Sequence, residues 1–372
     1  MTLAIHDLSI LRPKHELSQE GLFDWIAHAH VQSESLKQGW TEASEERALF
    51  QQKMVERLAT LGLGKEQIET RSVVIPDCLH KNWEEMEIYP LSEHERGSHL
   101  SRRMRHFEQE VQGVFEEFYR DTQPPGHLIH VTCTGYVSPS SAQLIATRTP
   151  TMVTHAYHMG CYASIPALRM AVGHWHTQGT PTDIVHTELA SLHMDPSRHT
   201  TEQLVVQGLF ADGFAKYTVG PSDKGLAILS LHEQLVPDSA TFMNWSCGEF
   251  GFYFLSLTKE VPVVIGRALE GYLLELCKKA KIDIKEIKNA HYAIHPGGPK
   301  IIEQTAKRLE IGPDQYRHSK YILKKCGNMS SATLPHVWER MMNDPQIKKG
   351  ELIVSLAFGP GLSIAGGIFE KL

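Results

Sequence analysis

Three residues far apart in the chain carry side chains suited to acyl transfer. Cys161 lies in His158-Met-Gly-Cys-Tyr-Ala-Ser164, where an apolar stretch (150–157) meets a tight turn at Gly160 and then an amphipathic stretch (163–175). A cysteine in the first turn of a helix feels the positive end of the dipole, which favours thiolate over thiol. Placement alone also fits a small buried cysteine at a helix start. His295 follows a short apolar run and precedes Pro-Gly-Gly-Pro299, a rigid turn ahead of a helix. Asn328 sits in Cys326-Gly-Asn-Met-Ser-Ser-Ala332, where Gly-Asn is by itself an ordinary turn.

A sulfur, an imidazole and a carboxamide at three strand–helix junctions suit decarboxylative condensation. The thiolate accepts an acyl group from a thioester, its pKa lowered by an ion pair with the imidazole. When a malonyl thioester then loses carbon dioxide, charge builds on its thioester oxygen. His295 and Asn328 can both donate hydrogen bonds to that oxygen.

The elements that must position these groups change character along the chain. Residues 1–125 read mainly as helices, at 18–30, 44–61 and 92–119, the last interrupted at Gly97. From 127 onward strands alternate with helices. Strands are expected at 127–134, 150–157, 182–190 and 215–219, with helices at 162–178 and 201–210. A second block begins near Leu226, with a strand reaching 257 and a helix at 262–280. A strand at 290–294, helices to about Met342 and strands at 351–358 and 362–369 complete it. This order predicts a layered α/β fold with mixed sheets in two similar halves, 1–225 and 226–372, without a detectable internal repeat.

Composition narrows the function class. The chain has 372 residues, 41% hydrophobic and 22% charged, enough for a sizeable core. A net charge of −6 gives no basic field for nucleic acid or an anionic membrane. The 22 histidines are scattered; pairs such as His28/His30, His155/His158 and His174/His176 lack the partners of a metal site. Six dispersed cysteines with no C-x-x-C imply a reducing compartment. The N-terminus lacks a signal-peptide pattern and no run is long enough to span a bilayer, so a soluble cytoplasmic protein is expected.

The chain resembles the type III polyketide synthases, the chalcone and stilbene synthase family. The resemblance rests on Met159-Gly-Cys161-Tyr-Ala, His295-Pro-Gly-Gly-Pro, Gly327-Asn-Met-Ser-Ser-Ala332 and Phe358-Gly-Pro-Gly-Leu362, in the family's order. Val131-Thr-Cys-Thr-Gly135 and Gln207-Gly-Leu-Phe-Ala-Asp-Gly213 also match, and Asn244-Trp-Ser-Cys-Gly-Glu-Phe-Gly-Phe252 is closer to bacterial members. Residues before 127 match only loosely.

The resemblance implies a thiolase-like αβαβα fold with two duplicated halves and mixed five-stranded sheets, a homodimer, and a Cys161–His295–Asn328 triad. It implies Phe210 as a gatekeeper aromatic and places a second at Phe254 or Leu255. His193, Trp245, Thr134, Gly359 and Pro360 would line or scaffold the cavity. Acyl-CoA and malonyl-CoA are the implied substrates, with no separate cofactor and no metal. Of the family's early cations only Arg57 and Lys65 are present, so a donor bound to an acyl carrier protein becomes an alternative. Ala190, His193, Trp245 and Ser138 depart from the plant pattern, so an alkylpyrone or alkylresorcinol is expected rather than chalcone or stilbene. A ketosynthase joining carrier-bound chains, and a non-catalytic scaffold of the same fold, are the competing readings.

Overall fold

The strand His127–Thr132 is buried at all six residues, as is Thr182–Leu189 at all eight, because both lie inside a sheet covered on both faces. The computed structural model describes residues 2–258 and 260–372, and of residues 253–257 the backbone alone. In chain order the strands are β1 (Thr2–Leu11), β2 (His15–Ser18), β3 (Thr70–Val73), β4 (His127–Thr132), β5 (Met152–Tyr157), β6 (Thr182–Leu189) and β7 (Asp212–Ser222). They continue as β8 (Leu226–Leu235), β9 (Met243–Gly248), β10 (Gly251–Leu257), β11 (His291–Ile294), β12 (Leu352–Gly359) and β13 (Ser363–Lys371). The helices are α1 (Gln19–Gln38), α2 (Glu45–Ala59), α3 (Leu100–Phe118), α4 (Ser141–Ala146) and α5 (Ser164–Gln178). After them come α6 (Thr201–Leu209), α7 (Val261–Ala280), α8 (Pro299–Leu309), α9 (Arg317–Cys326) and α10 (Thr333–Met342).

Nine strands hydrogen-bond in the order β11-β12-β13-β8-β1-β7-β6-β4-β5. From β4 through β6 and β7 to β1 the pairings run parallel, antiparallel, antiparallel. The run from β11 through β12 and β13 to β8 repeats that series. β5 adds a fifth strand to the first half, whereas the second supplies four. The halves meet at β1 and β8 through only two register pairs, Ala4↔Ala227 and Ile5↔Leu226.

Side-chain alternation sorts the core into layers. Ile129 and Val131 of β4 pack inward with α5 (Ile165, Leu168) and α10 (Val337, Trp338), as do Ile353 and Ala357 of β12. Leu128 and Val185 point the other way, onto α1 and α3. Val354 and Leu356 face α7 and α8. The result is helix, sheet, helix, sheet, helix, with α5 and α10 in the middle.

The N-terminal region departs from the helical reading. β1 is a ten-residue strand at the centre of the sheet, and β2 pairs with β3. Its period-two signal is broken by Asp7 in the left-handed region and by a register shift between His6 and Ser9. The helix expected from Ser92 starts only at Leu100. Gly97 sits at φ +74° against the Ile88 carbonyl, so residues 92–99 form turns instead. No described helix is long and apolar enough to cross a membrane.

Candidate active site

Cys161 stands in a turn three residues ahead of α5, reached from β5 through two left-handed residues, His158 (φ 59°) and Gly160 (φ 87°). Gly160 must lack a side chain, since a Cβ there would lie 2.7 Å from Pro360 Cδ. Its N–H donates to Cys133 Sγ at 2.9 Å. Asn328 follows α9 across Gly327 (φ 71°). The Asn328 Oδ1 accepts from Ser330 N–H (2.9 Å) and the Thr333 hydroxyl (3.3 Å). Both ends of the carboxamide, Oδ1 and Nδ2, lie 4.0 Å from Cys161 Sγ, as does Ser330 Oγ; with Oδ1 occupied by those donors, Nδ2 is the end left to donate. His295 caps β11: its N–H donates to the Leu356 carbonyl (2.7 Å), its carbonyl accepts from Gly297 N–H, and its ring is buried.

The structure thus brings the sulfur and the carboxamide together. The imidazole behaves differently from expectation. Among the described residues neither ring nitrogen of His295 has a hydrogen-bond partner, so the expected thiolate–imidazolium pair is not formed. Burial pushes the Cys161 thiol up to about 12 and the His295 imidazole down to about 3. Both groups are neutral at pH 7. The dipole argument therefore fails here: Cys161 precedes the helix and desolvation outweighs what the helix offers.

Cys161 opens into a cavity whose empty space, with its solvent-open mouth, is about 880 Å³. Phe210, Thr134, His193, Trp245 and Pro360 all line it. Thr134 spends its hydroxyl on the fold, donating to Glu188 and accepting from Leu189 N–H. His193 donates from Nε2 to the Thr134 carbonyl and accepts Phe252 N–H at Nδ1, so both nitrogens are occupied. It offers the cavity a ring, stacked on Phe252 at 4.6 Å, and no acid–base atom. Gly359 makes room for the Tyr162 ring, whose Cδ1 would sit 2.2 Å from a Cβ. Phe254 lies opposite Trp245 in the β9–β10 ladder, but its side chain and that of Leu255 are outside the described residues. Arg57 and Lys65 do not line the cavity; exposed Lys65 lies 3.7 Å from Glu20.

Three residues escaped the sequence reading. Cys133 and Ser330 lie within the segments 131–135 and 327–332, and both line the cavity beside Cys161. Arg71, a buried arginine in β3, carries no local signal at all.

Glu188, fully buried, ties the two ends of the site together. It accepts from Cys133 N–H (3.0 Å) and Thr134 Oγ1 (3.1 Å) on one oxygen, and from Ser331 N–H (3.3 Å) and the Ser331 hydroxyl on the other. Burial pushes its carboxyl up to about 7 despite those donors. Replacing it with glutamine keeps the shape but turns one acceptor into a donor facing other donors. Glu188→Gln is therefore expected to destabilise the fold by about 1–3 kcal/mol, read as a fall in denaturation midpoint. An unchanged midpoint would show that the network does not hold the site.

Residues 227–372 match the family model of the chalcone and stilbene synthase C-terminal domain. The "Probable polyketide synthase 1" of Dictyostelium discoideum is 28% identical over 262 residues, 66% of this chain. The chain spans only 8% of that relative's length. Among solved structures, the C-terminal type III polyketide synthase domain of Steely1, a type I/III hybrid from Dictyostelium, aligns with a TM-score of 0.82 at 22% identity. PKS-I from the brown alga Ectocarpus siliculosus gives 0.83 at 18%. The 1,3,6,8-tetrahydroxynaphthalene synthase of Streptomyces coelicolor A3(2), a bacterial type III polyketide synthase, gives 0.78 at 21%. Each alignment covers 100% of this chain and 99% of the other. The resemblance drawn from the sequence is met at two levels: the whole chain has the fold of these type III polyketide synthase structures, and its residues 227–372 match the chalcone and stilbene synthase C-terminal domain.

Proposed function

We propose that this chain loads an acyl starter on Cys161 and extends it with malonyl units. In the loading step Sγ bonds to the acyl carbon, the donor thiol departs, and the cysteine proton passes to His295 and then to the leaving sulfur. A malonyl thioester next loses carbon dioxide, and its oxygen, bearing the enolate charge, takes hydrogen bonds from His295 and Asn328 Nδ2. The enolate carbon attacks the Cys161 thioester, which releases the sulfur and lengthens the chain by two carbons. The observation that carries this reading is the Asn328 carboxamide held 4.0 Å from Cys161 Sγ at the wall of the cavity. Leu22, Val73, Val206, Met243 and Phe252 make that wall apolar, which suits an alkyl starter and an alkylpyrone or alkylresorcinol product.

The test is to incubate the purified protein with malonyl-CoA and acyl-CoA starters of graded length, then read product masses and the mass of the Cys161 peptide. Products growing by two-carbon units, lost in Cys161→Ala, are expected. No product and no acylated Cys161 with any thioester would sink the reading in favour of a non-catalytic scaffold.

A carrier-bound donor is the second reading, and two observations favour keeping it. Neither Arg57 nor Lys65 reaches the cavity, and the similar Steely1 domain belongs to a type I/III hybrid. If coenzyme A thioesters are the donors, Lys65→Glu is expected to raise their KM about threefold or more at low salt and leave kcat unchanged. Activity with acyl carrier protein donors and none with coenzyme A thioesters would select the ketosynthase alternative. Exposed Tyr136 and Met152, beside the outermost strand β5, support a homodimer through that face.

A further inference from the structure

Four consecutive carbonyls at the end of α6 are captured by just three residues. Arg71 Nη1 donates to the Gln207 and Phe210 carbonyls, both at 2.7 Å. Arg71 Nε donates to Gln19 Oε1 (2.7 Å), and Gln19 Nε2 donates to the Gly208 carbonyl (2.8 Å). The remaining carbonyl, of Leu209, accepts Asn328 N–H at 3.0 Å. Ala211 N–H closes the set by donating to the Asn328 carbonyl at 2.8 Å, so Phe210 is bridged to Asn328.

The far side of Arg71 bears on the same loop. A Cβ on Gly327 would lie 2.9 Å from both Arg71 Cγ and Cδ, and 3.0 Å from the Leu209 carbonyl oxygen. The arginine stem therefore fills the place where a side chain next to Asn328 would go. Arg71 is 1% exposed, and Gln19 is equally buried. An arginine whose stem bears on the neighbour of Asn328, and whose planar guanidinium bonds the Gln207 and Phe210 carbonyls beside the backbone bridge, can hold that bridge at one height.

We infer that Arg71 is a positioning residue: with Gln19 it sets where the Asn328 carboxamide and the Phe210 ring stand relative to Cys161. The assignment deepens the function proposed above, resting on it only for the catalytic half of the test. Lysine cannot replace the fork, because a point charge on a flexible stem cannot hold the Gln207 carbonyl, the Phe210 carbonyl and Gln19 in one plane. Arg71 acts through Asn328, so losing either should cost the same thing once.

The experiment is a double-mutant cycle of Arg71→Lys and Asn328→Ala, with two readouts on the full chain and a thermal melt of each variant. The first is the rate of Cys161 alkylation by iodoacetamide, followed by mass spectrometry, which requires no condensing activity. Arg71→Lys is expected to slow it about threefold or more, as Asn328→Ala does, and to add less than about twofold in the Asn328→Ala background. The second is malonyl-CoA decarboxylation, which should show the same non-additivity. Wild-type alkylation kinetics in Arg71→Lys, or effects that multiply, would overturn the inference whatever the enzyme makes. Should Arg71→Lys melt too low to assay, Gly327→Ala displaces the same stem from the opposite side and must show the same non-additivity with Asn328→Ala. An inactive wild type with a coupled alkylation cycle would instead remove the proposed function and leave the positioning role standing.

Discussion

Asn328→Asp is expected to abolish most product formation while leaving the protein folded. Oδ1 is the fixed end of this side chain, accepting from Ser330 N–H and Thr333 Oγ1 in a buried turn. Aspartate keeps that end. At the other end it exchanges an N–H donor for an acceptor at the atom 4.0 Å from Cys161 Sγ. Removing one preorganised donor to a developing oxyanion costs on the order of 10²–10³ in rate, and an anion placed there costs more. Turnover with malonyl-CoA should therefore fall by at least about 10²-fold with a denaturation midpoint close to wild type. Asn328→Ala should lose similar activity but also stability, about 1–3 kcal/mol, because the buried Ser330 N–H loses its acceptor. Near-normal turnover in Asn328→Asp would remove the carboxamide from the mechanism.

The comparison shows which features a sequence can announce. Gly160 and Gly327 stand where the backbone enters the left-handed region, and each is the chain neighbour of a candidate site residue, Cys161 or Asn328; glycine in such turns is visible as composition. Strands β4 and β6 were readable from the apolar pairs at their centres, Leu128-Ile129 and Ile184-Val185, although both also bury polar side chains such as His130, His186 and Glu188. β1 was not: its centre is buried, but His6 and Asp7 interrupt it, and its partners β7 and β8 come more than 200 residues later. Protonation at the site was equally out of reach. Whether Cys161 and His295 exchange a proton depends on how dry their surroundings are, and dryness is a product of packing. Arg71 is the extreme case. An arginine in a short strand announces nothing, and its meaning arises only from carbonyls in a helix that follows it by more than a hundred residues.

The abundance of histidine, read from sequence as solvated or satisfied in the core, has a physical consequence once burial is known. His30, His130, His186, His295 and His336 are all buried, and desolvation holds the first four near 3 and His336 near 4. In the unfolded chain each titrates near 6.5. A depressed pKa makes a contribution that is complete above the unfolded value and is lost as pH falls towards the folded one. Between pH 6 and 5 the unfolded state binds protons at these five positions that the folded state refuses. Each contributes about 1.4 kcal/mol per pH unit. Glu188, raised to about 7, and Asp212, raised to about 6, act in the opposite direction, because the folded state keeps their protons at pH 5. The net loss over that unit is on the order of 5 kcal/mol, comparable to the whole stability of many domains. Thermal and urea midpoints are therefore expected to hold near neutrality and collapse between pH 6 and 5, above the pH at which ordinary surface carboxylates protonate. His186 hydrogen-bonds Ser331 and Tyr217 through its two nitrogens (3.1 and 3.0 Å). His186→Gln keeps polar atoms there but cannot bind the proton, so it should flatten the slope by about 1.4 kcal/mol per pH unit while costing stability at pH 7. A midpoint that stays level from pH 7 to pH 5 would mean that these imidazoles, His295 among them, open to water at little cost, and the dryness argued for His295 would go too.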